Sequence, residues 1–406
     1  MVKGFFIFIM LFGASANALV GVKSLENKLF EQSPELSSLQ KHVESKEALY
    51  SSGLSGYLPT LNAVGGWQQN KTDTTPTEKG TIGYLEGRYN LFNGFKDNSI
   101  RDQKEAELNL AKIELELKQR DLKISLTEVL SDMLYLHQLQ DILAEEYKVV
   151  QTQKQMAQKK MDSGLTGAVD NLEFNFRESE IQIEQNQISQ LHDEAHQKLI
   201  KLFGADLGDS DFAEIKYQTQ VELAQVSPNF ERTKNLEYQL AVQNLSKVTY
   251  EKSEVRSDFL PKLDITASVG RLTPSEITPT QFNESKYCVT LTIPLFSGLD
   301  TYHKVKSSNL SILSAEKALT QKSNEITSEY NIIKNKISEL DKLYKINELK
   351  LKTAQSYFDL TLGEYRRGIK NSPDLVGATE RLFTTKKKQI EIVKNLEILK
   401  IKIDTM

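Results

Sequence analysis

The chain has 406 residues with 51 Lys and Arg against 55 Asp and Glu, a formal net charge of −4 that excludes a basic nucleic-acid-binding surface as its main business. One Cys excludes a disulfide framework and any cysteine-based zinc site, and a mean hydropathy of −0.43 excludes a bundle of membrane-spanning helices. Only 20 Gly and 9 Pro punctuate this length, so the elements are long and uninterrupted. The first segment reads as a signal peptide, residues 1–18. Met1-Val2-Lys3 is a short positive start, Gly4–Gly13 is apolar, and Ala16-Asn17-Ala18 offers an A-x-A cleavage site. That apolar run is too short to cross a ~30 Å hydrocarbon core as a helix. Cleavage is expected after Ala18, with Ala16 as second choice. The exported remainder has no other run of 18 apolar residues, so if it enters a membrane it must do so as β-strands.

Period-two alternation marks two hairpins. In the first, Leu61, Ala63 and Trp67 share a face, and on the return Leu85, Tyr89 and Leu91 alternate with Glu86, Arg88 and Asn90. In the second, Leu263, Ile265, Ala267 and Val269 alternate with Lys262, Asp264, Thr266 and Ser268; Tyr287, Val289, Leu291, Ile293 and Leu295 then alternate with Cys288, Thr290 and Thr292. Strands are expected near 57–70, 81–93, 259–272 and 285–297. Each is about ten residues, the length a tilted strand needs to cross an outer membrane. A soluble hairpin with one face on a core would alternate in the same way. As transmembrane strands, Ile265, Val269, Val289, Leu291 and Ile293 face lipid, while Asp264, Thr266, Cys288 and Thr290 face a water-filled lumen. Four strands cannot close a barrel, and an open sheet leaves unpaired edges in hydrocarbon, so this reading requires oligomerisation. Two chains give eight strands and a plugged interior; three give twelve and room for a channel.

A long helix follows each hairpin. Leu115, Leu122, Leu126, Val129, Met133, Leu136, Leu143, Tyr147, Val150, Ala157 and Met161 keep a three-four spacing. Adding 204 reaches Leu319, Ile326, Tyr330, Ile333, Ile337, Leu340, Asn347, Leu351, Ala354, Thr361 and Tyr365, all apolar except Asn347 and Thr361. Such a heptad specifies packed, supercoiled helices, here over 98–161 and 301–365, each roughly 95 Å long. A fibrous coiled coil would share this repeat but not the hairpins. The chain is in fact duplicated. Tyr57–Leu61 (YLPTL) matches Phe259–Leu263 (FLPKL) at an offset of 202. Asn90–Phe95 (NLFNGF) matches Pro294–Leu299 (PLFSGL), and Gly164–Asp170 matches Gly368–Asp374, both at 204.

The order, duplication and spacing of these motifs resemble the TolC family of outer-membrane efflux and secretion channels. The turn after each long helix also resembles the family pattern Y-x-x-G-x-x-x-x-x-D-L, present as Tyr365, Gly368, Asp374 and Leu375. The resemblance covers essentially the whole mature chain. It implies an α+β membrane protein, a homotrimer with one shared 12-stranded barrel continued by a periplasmic α-helical tunnel. In that plan 19–203 is the first structural repeat and 229–406 the second. Leu19–Ser55 and Phe230–Asp258 are shorter helices leading into the strands, 170–203 and 374–404 are helices returning from the tips, and 204–228 is an equatorial segment. The implied partners are a periplasmic adaptor (membrane fusion) protein, an inner-membrane pump of the resistance-nodulation-division or ABC type, and outer-membrane lipid. The tips Ser163–Val169 and Gly368–Pro373, with Gly164, Leu165, Gly368 and Ile369, meet the adaptor. Asp170 and Asp374 line the tunnel aperture, where like charges drawn together favour protonation and attract cations. Family members often carry a second aspartate where this chain has Gly377, which weakens the acidic ring. The Tyr365 hydroxyl ties one hairpin to its neighbour. A plainer role for Asp374 is to N-cap its helix.

Enzymatic chemistry finds no support. His192 and His196 have zinc-compatible spacing but Asp193 stands where H-E-x-x-H needs Glu, and a solvated helix face suits them better. His42, His137 and His303 stand alone, and no nucleophile elbow, P-loop or dinucleotide fingerprint is present. Cys288 reads as a small lumen residue and Lys386–Lys388 as a solvated face. No catalytic residue, cofactor, metal or nucleic-acid partner is expected. The function expected is a passive exit duct; the alternatives are a periplasmic adaptor, which carries a single long hairpin, and a structural coiled coil.

Overall fold

The computed structural model describes residues 15–71, 78–164, 167–204, 230–274 and 284–406. Most of the signal peptide, Leu165, the two hairpin loop centres and nearly all of the equatorial segment lie outside the described residues. In chain order the elements are α1 (Ser15–Gln32), α2 (Pro34–Ser52), β1 (Thr60–Asn70), β2 (Glu78–Phe92), α3 (Lys96–Asp162), α4 (Ala168–Phe203), α5 (Leu236–Ser257), β3 (Lys262–Arg271), β4 (Glu284–Thr292), α6 (Asp300–Arg366) and α7 (Ser372–Asp404). They form two compact units. One lies within residues 38–117 and 232–326 and holds the sheet; the other lies within residues 1–37, 118–231 and 327–406, whose described residues hold helices alone.

In the helical unit the heptad residues Leu122, Leu126, Val129, Met133, Leu136, Leu143, Val150 and Ala157 of α3 are buried. On α6, Ile333 and Ile337 pack with Ile392 and Leu396 of α7, joined by Leu340, Tyr344, Leu399 and Ile403. The two heptad exceptions are buried as well. Asn347 donates to the Thr385 carbonyl at 3.1 Å and to Gln389 Oε1 at 2.6 Å, and Thr361 is 2% exposed. The segment expected as one helix over 19–55 is two helices. Ser33 accepts at the start of the second from the Leu36 amide at 3.4 Å, and Pro34 lacks the N–H that an uninterrupted helix would use.

The sheet is an antiparallel meander of order β1-β2-β3-β4. The pairs include Thr60↔Arg88, Leu61↔Gly87, Tyr84↔Gly270, Leu85↔Val269, Ile265↔Val289 and Thr266↔Cys288. This register gathers Leu61, Ala63, Trp67, Leu85, Tyr89, Ile265, Val269, Val289 and Leu291 on one face. Asn62, Glu86, Arg88, Asp264, Thr266, Cys288 and Thr290 share the other. A bulge between Asn90 and Phe92 shifts the β2–β3 register before its last pair, Phe92↔Leu263. The fourth strand stops at Thr292, so Ile293 and Leu295 lie beyond it; Pro294, without an N–H, cannot extend the ladder.

Candidate functional site

Two regions carry the candidate residues: the polar face of the sheet and the two helix-turn tips. On the sheet, Asp264 pairs with Thr290 and Thr266 with Cys288, and the Cys288 Sγ lies 3.4 Å from Thr290 Oγ1. All four share one face because each is an even step along its strand from the others or directly opposite across the ladder. The opposite face is unusually apolar for a surface. Trp67 is 64% exposed, Val289 67% and Leu291 60%. A contiguous apolar face of this kind marks an interaction with lipid or protein.

At the tips, α3 and α6 both end in a left-handed glycine. Gly164 has φ 71° and its N–H bonds to the Met161 carbonyl; Gly368 has φ 78° and bonds to the Tyr365 carbonyl, while the Ile369 N–H reaches back to Glu364. A Cβ added at either glycine would meet open space, so backbone conformation alone selects glycine here. The cap of α7 is Asn371, whose side chain accepts from the Asp374 amide at 3.2 Å; Asp374 is not the N-cap but lies in the first turn, 3.8 Å from Lys370.

Asp170, in the first turn of α4, accepts a hydrogen bond from Ser372 at the start of α7, which joins the two tips within one chain. Tyr365 is fully buried beside them. Its ring meets Phe174 edge-on at 6.1 Å, and the Lys160 ammonium sits 3.8 Å over the ring and donates to the Tyr365 carbonyl. Among the described residues its hydroxyl has no hydrogen-bond partner. Burial, reinforced by the nearby Asp170 charge, pushes the Tyr365 phenol up to about 12. The structure therefore brings Asp170, Tyr365 and Ser372 together, and Asp374, in the same first turn as Ser372, faces Lys370.

Sequence reasoning missed a buried ionic cluster. Glu146, with no exposed side-chain surface, receives Arg177 at 2.5 Å and Lys387 at 3.2 Å; Lys387 also reaches Glu184 at 2.5 Å. The Lys386–Lys388 run is thus not simply a solvated face: Lys386 pairs with Glu145 at 2.7 Å and Lys387 is mostly buried. The available signal was an acidic pair, Glu145-Glu146, on a helix that packs against three consecutive lysines. His192 is exposed and His196 half-buried, and among the described residues no group of three His, Cys, Asp or Glu could hold a metal.

The profile of the family described as outer membrane efflux protein matches residues 25–205 and 231–403, one segment for each half of the duplication. The alkaline protease secretion protein AprF of Pseudomonas aeruginosa is 25% identical over 239 residues, 57% of this chain and 50% of that protein. The match therefore spans half the length of this curated relative. Among solved structures, the outer membrane protein VceC of Vibrio cholerae superposes with a TM-score of 0.81 at 13% identity, covering 95% of each chain. CusC gives 0.83 at 13% identity over 95% of this chain and 91% of its own. A membrane protein from Pseudomonas aeruginosa gives 0.80 at 14% identity, over 94% and 92%. At these identities the likeness to solved structures concerns the fold.

Proposed function

Because this chain belongs to the outer membrane efflux protein family, we propose that it is the passive outer-membrane exit duct of a tripartite efflux pump or type I secretion system. Its family is one of transport proteins, not enzymes. The observation that carries the proposal is the two-faced sheet with open edges: a hydrocarbon-compatible face, a polar face bearing Asp264, Thr266, Cys288 and Thr290, and two outer strands that each lack a second neighbour among the described residues. Three chains supply twelve strands, enough to close a barrel with a wet interior. Residues 1–18 direct export, and the long helices form the periplasmic tunnel. The likeness to AprF, an alkaline protease secretion protein, supports a secretion role, with a protein cargo handed over by an ABC-type pump and its adaptor; a resistance-nodulation-division pump is the counterpart for efflux. The tips at Gly164, Leu165, Gly368 and Ile369 meet the adaptor, and Asp170 and Asp374 line the aperture next to Tyr365.

Purified protein in planar bilayers tests the duct directly, since it should give discrete conductance steps. A membrane-impermeant thiol reagent should reach Cys288 in the assembled protein, and Thr290→Cys if packing shields it. Labelling confined to cysteines placed at Val289 and Leu291 would reverse the two faces. Asp374→Ala should raise conductance or weaken block by divalent cations if the aperture carries an acidic ring. Unchanged conductance and block would remove Asp374 from the aperture.

A further inference from the structure

Among the described strand residues, the apolar face of the sheet carries charge at one end only, and that charge is of one sign. We propose that Lys79 and Arg271, with Thr81 between them, bind the headgroup phosphate of a lipid in the outer leaflet. The proposal rests on the reading of the protein as an outer-membrane duct and adds the lipid class and the residues that select it.

Strand register sorts the charges. Lys79 and Arg271 are the charged members of the face that holds Trp67, Leu85, Val269 and Val289, and no acid of the described strands shares it. Glu86, Asp264 and Glu284 fall on the other face, mixed there with Arg88, Lys262 and Lys286. Mixed signs suit water, whereas cations alone at the border of a hydrocarbon-compatible face suit an anionic headgroup. Both cations stand at the hairpin-turn ends of their strands; the other strand ends lead to α2, α3, α5 and α6. With the long helices in the periplasm, the turn ends reach the outer leaflet, whose lipids bear phosphate.

The geometry brings the two cations towards one place. Arg271 pairs with Gly83, but its guanidinium reaches towards the turn and donates to Thr81 Oγ1 at 3.4 Å. Thr81 is two residues from Lys79 on the same face, about 7 Å along the strand, a gap that the flexible four-carbon lysine stem largely closes. Across the ladder Thr81 faces Trp67, an exposed indole at the border between apolar and wet surface. The next pair is Gly65↔Gly83, and a Cβ added to either would meet nothing within 4 Å. The floor beside the guanidinium is bare backbone, which leaves room for a headgroup. Glu284, the acid of the adjoining strand, is engaged elsewhere: it accepts from the Leu272 and Thr273 amides at 3.2 and 3.0 Å and from the Thr273 hydroxyl at 2.6 Å. A planar guanidinium grips two phosphate oxygens and the ammonium supplies a further charge-assisted bond.

Native mass spectrometry of the full-length protein in detergent, titrated with diphosphorylated lipid A, tests the site. Lys79→Gln and Arg271→Gln should each weaken binding about fivefold, and the two together about thirtyfold. Added salt should weaken the wild-type complex more than that of the double variant. Arg271→Lys should keep part of the affinity, and Lys286→Gln, which removes the same charge from the polar face, should change nothing. Inorganic phosphate at equal concentration should not displace the lipid, since it offers the oxygens without the acyl chains. Unchanged binding by the double variant overturns the proposal, as do an equal loss in Lys286→Gln, equal binding of dephosphorylated lipid A, or displacement by inorganic phosphate. In those cases conductance steps in planar bilayers still uphold the duct, and a protein that gives no steps overturns the duct whatever its lipid affinity. Should the double variant fail to accumulate, either single variant reads the same site.

Discussion

Glu146 and Arg177 show how a heptad core can hold charge. Burial works against the Arg177 cation, but its bonds to Glu146 and Glu180 outweigh that and raise its pKa. Removing one partner strands the other, so Glu146→Leu should cost about 3–5 kcal/mol, while the double change to Leu at both positions should recover part of that loss. Thermal unfolding of the two variants in one detergent compares them. Tyr365 sets the alkaline limit. With its folded pKa raised above the ordinary value near 10, the neutral phenol favours the native state, and stability falls as pH rises from about 10 to about 12. Tyr365→Phe deletes a hydroxyl without a described partner and should abolish that portion of the alkaline loss with little change in melting temperature near neutrality. Phenolate absorbance and melting curves over that range measure both. Of this, only the burial of Tyr365 was read from the residue pattern. The heptad rule located Tyr365 as a core residue, but it could not show that Lys160 would cap its ring or that Asp170 would be tied to Ser372, since those contacts join residues far apart in sequence.

The long helices were legible because a three-four apolar repeat leaves few alternatives once it persists over many turns. What the pattern hid was the chemistry between helices. Lys386, Lys394 and Lys402 of α7 pair with Glu145, Asp132 and Glu128 of α3 at 2.7, 3.1 and 2.7 Å. Each is partly exposed and worth at most about 1 kcal/mol, so the set acts as a charge code for neighbours more than as a source of stability. Reversing Glu145 to Lys should lower the melting temperature at low salt, and adding Lys386→Glu should restore it; at high salt both effects should shrink. The strands were legible in type and less so at their ends. Alternation continued through Ile293 and Leu295, but Pro294 halts the ladder that alternation alone would have extended. Glycine placement matters in the same way. A Cβ at Gly270 would fall 2.6 Å from the Tyr84 Cα, whereas Gly83 has free space, so Gly270→Ala should impair sheet formation far more than Gly83→Ala. Yields of heat-modifiable protein from outer membranes report the difference.

For the chain as a whole, duplication made the architecture readable: two motifs kept in step over some two hundred residues could be assigned together where each alone was ambiguous. The oligomer was inferred from a deficit, since four strands leave two edges. The observed strand order puts β1 and β4 outermost among the described residues. Hydrocarbon does not hydrate an unpaired N–H or C=O, so a single copy has no stable place in a bilayer. On the proposed reading, exported chains meet before they insert, or insert while they meet. The rate of that encounter depends on how many copies share the compartment, and the dissociated form gains ground on dilution. Cutting expression severalfold should reduce the inserted fraction more than in proportion, as a pulse-chase of membrane-associated protein would show. Under the proposed oligomeric duct, cellular dose thus becomes a variable of the fold itself.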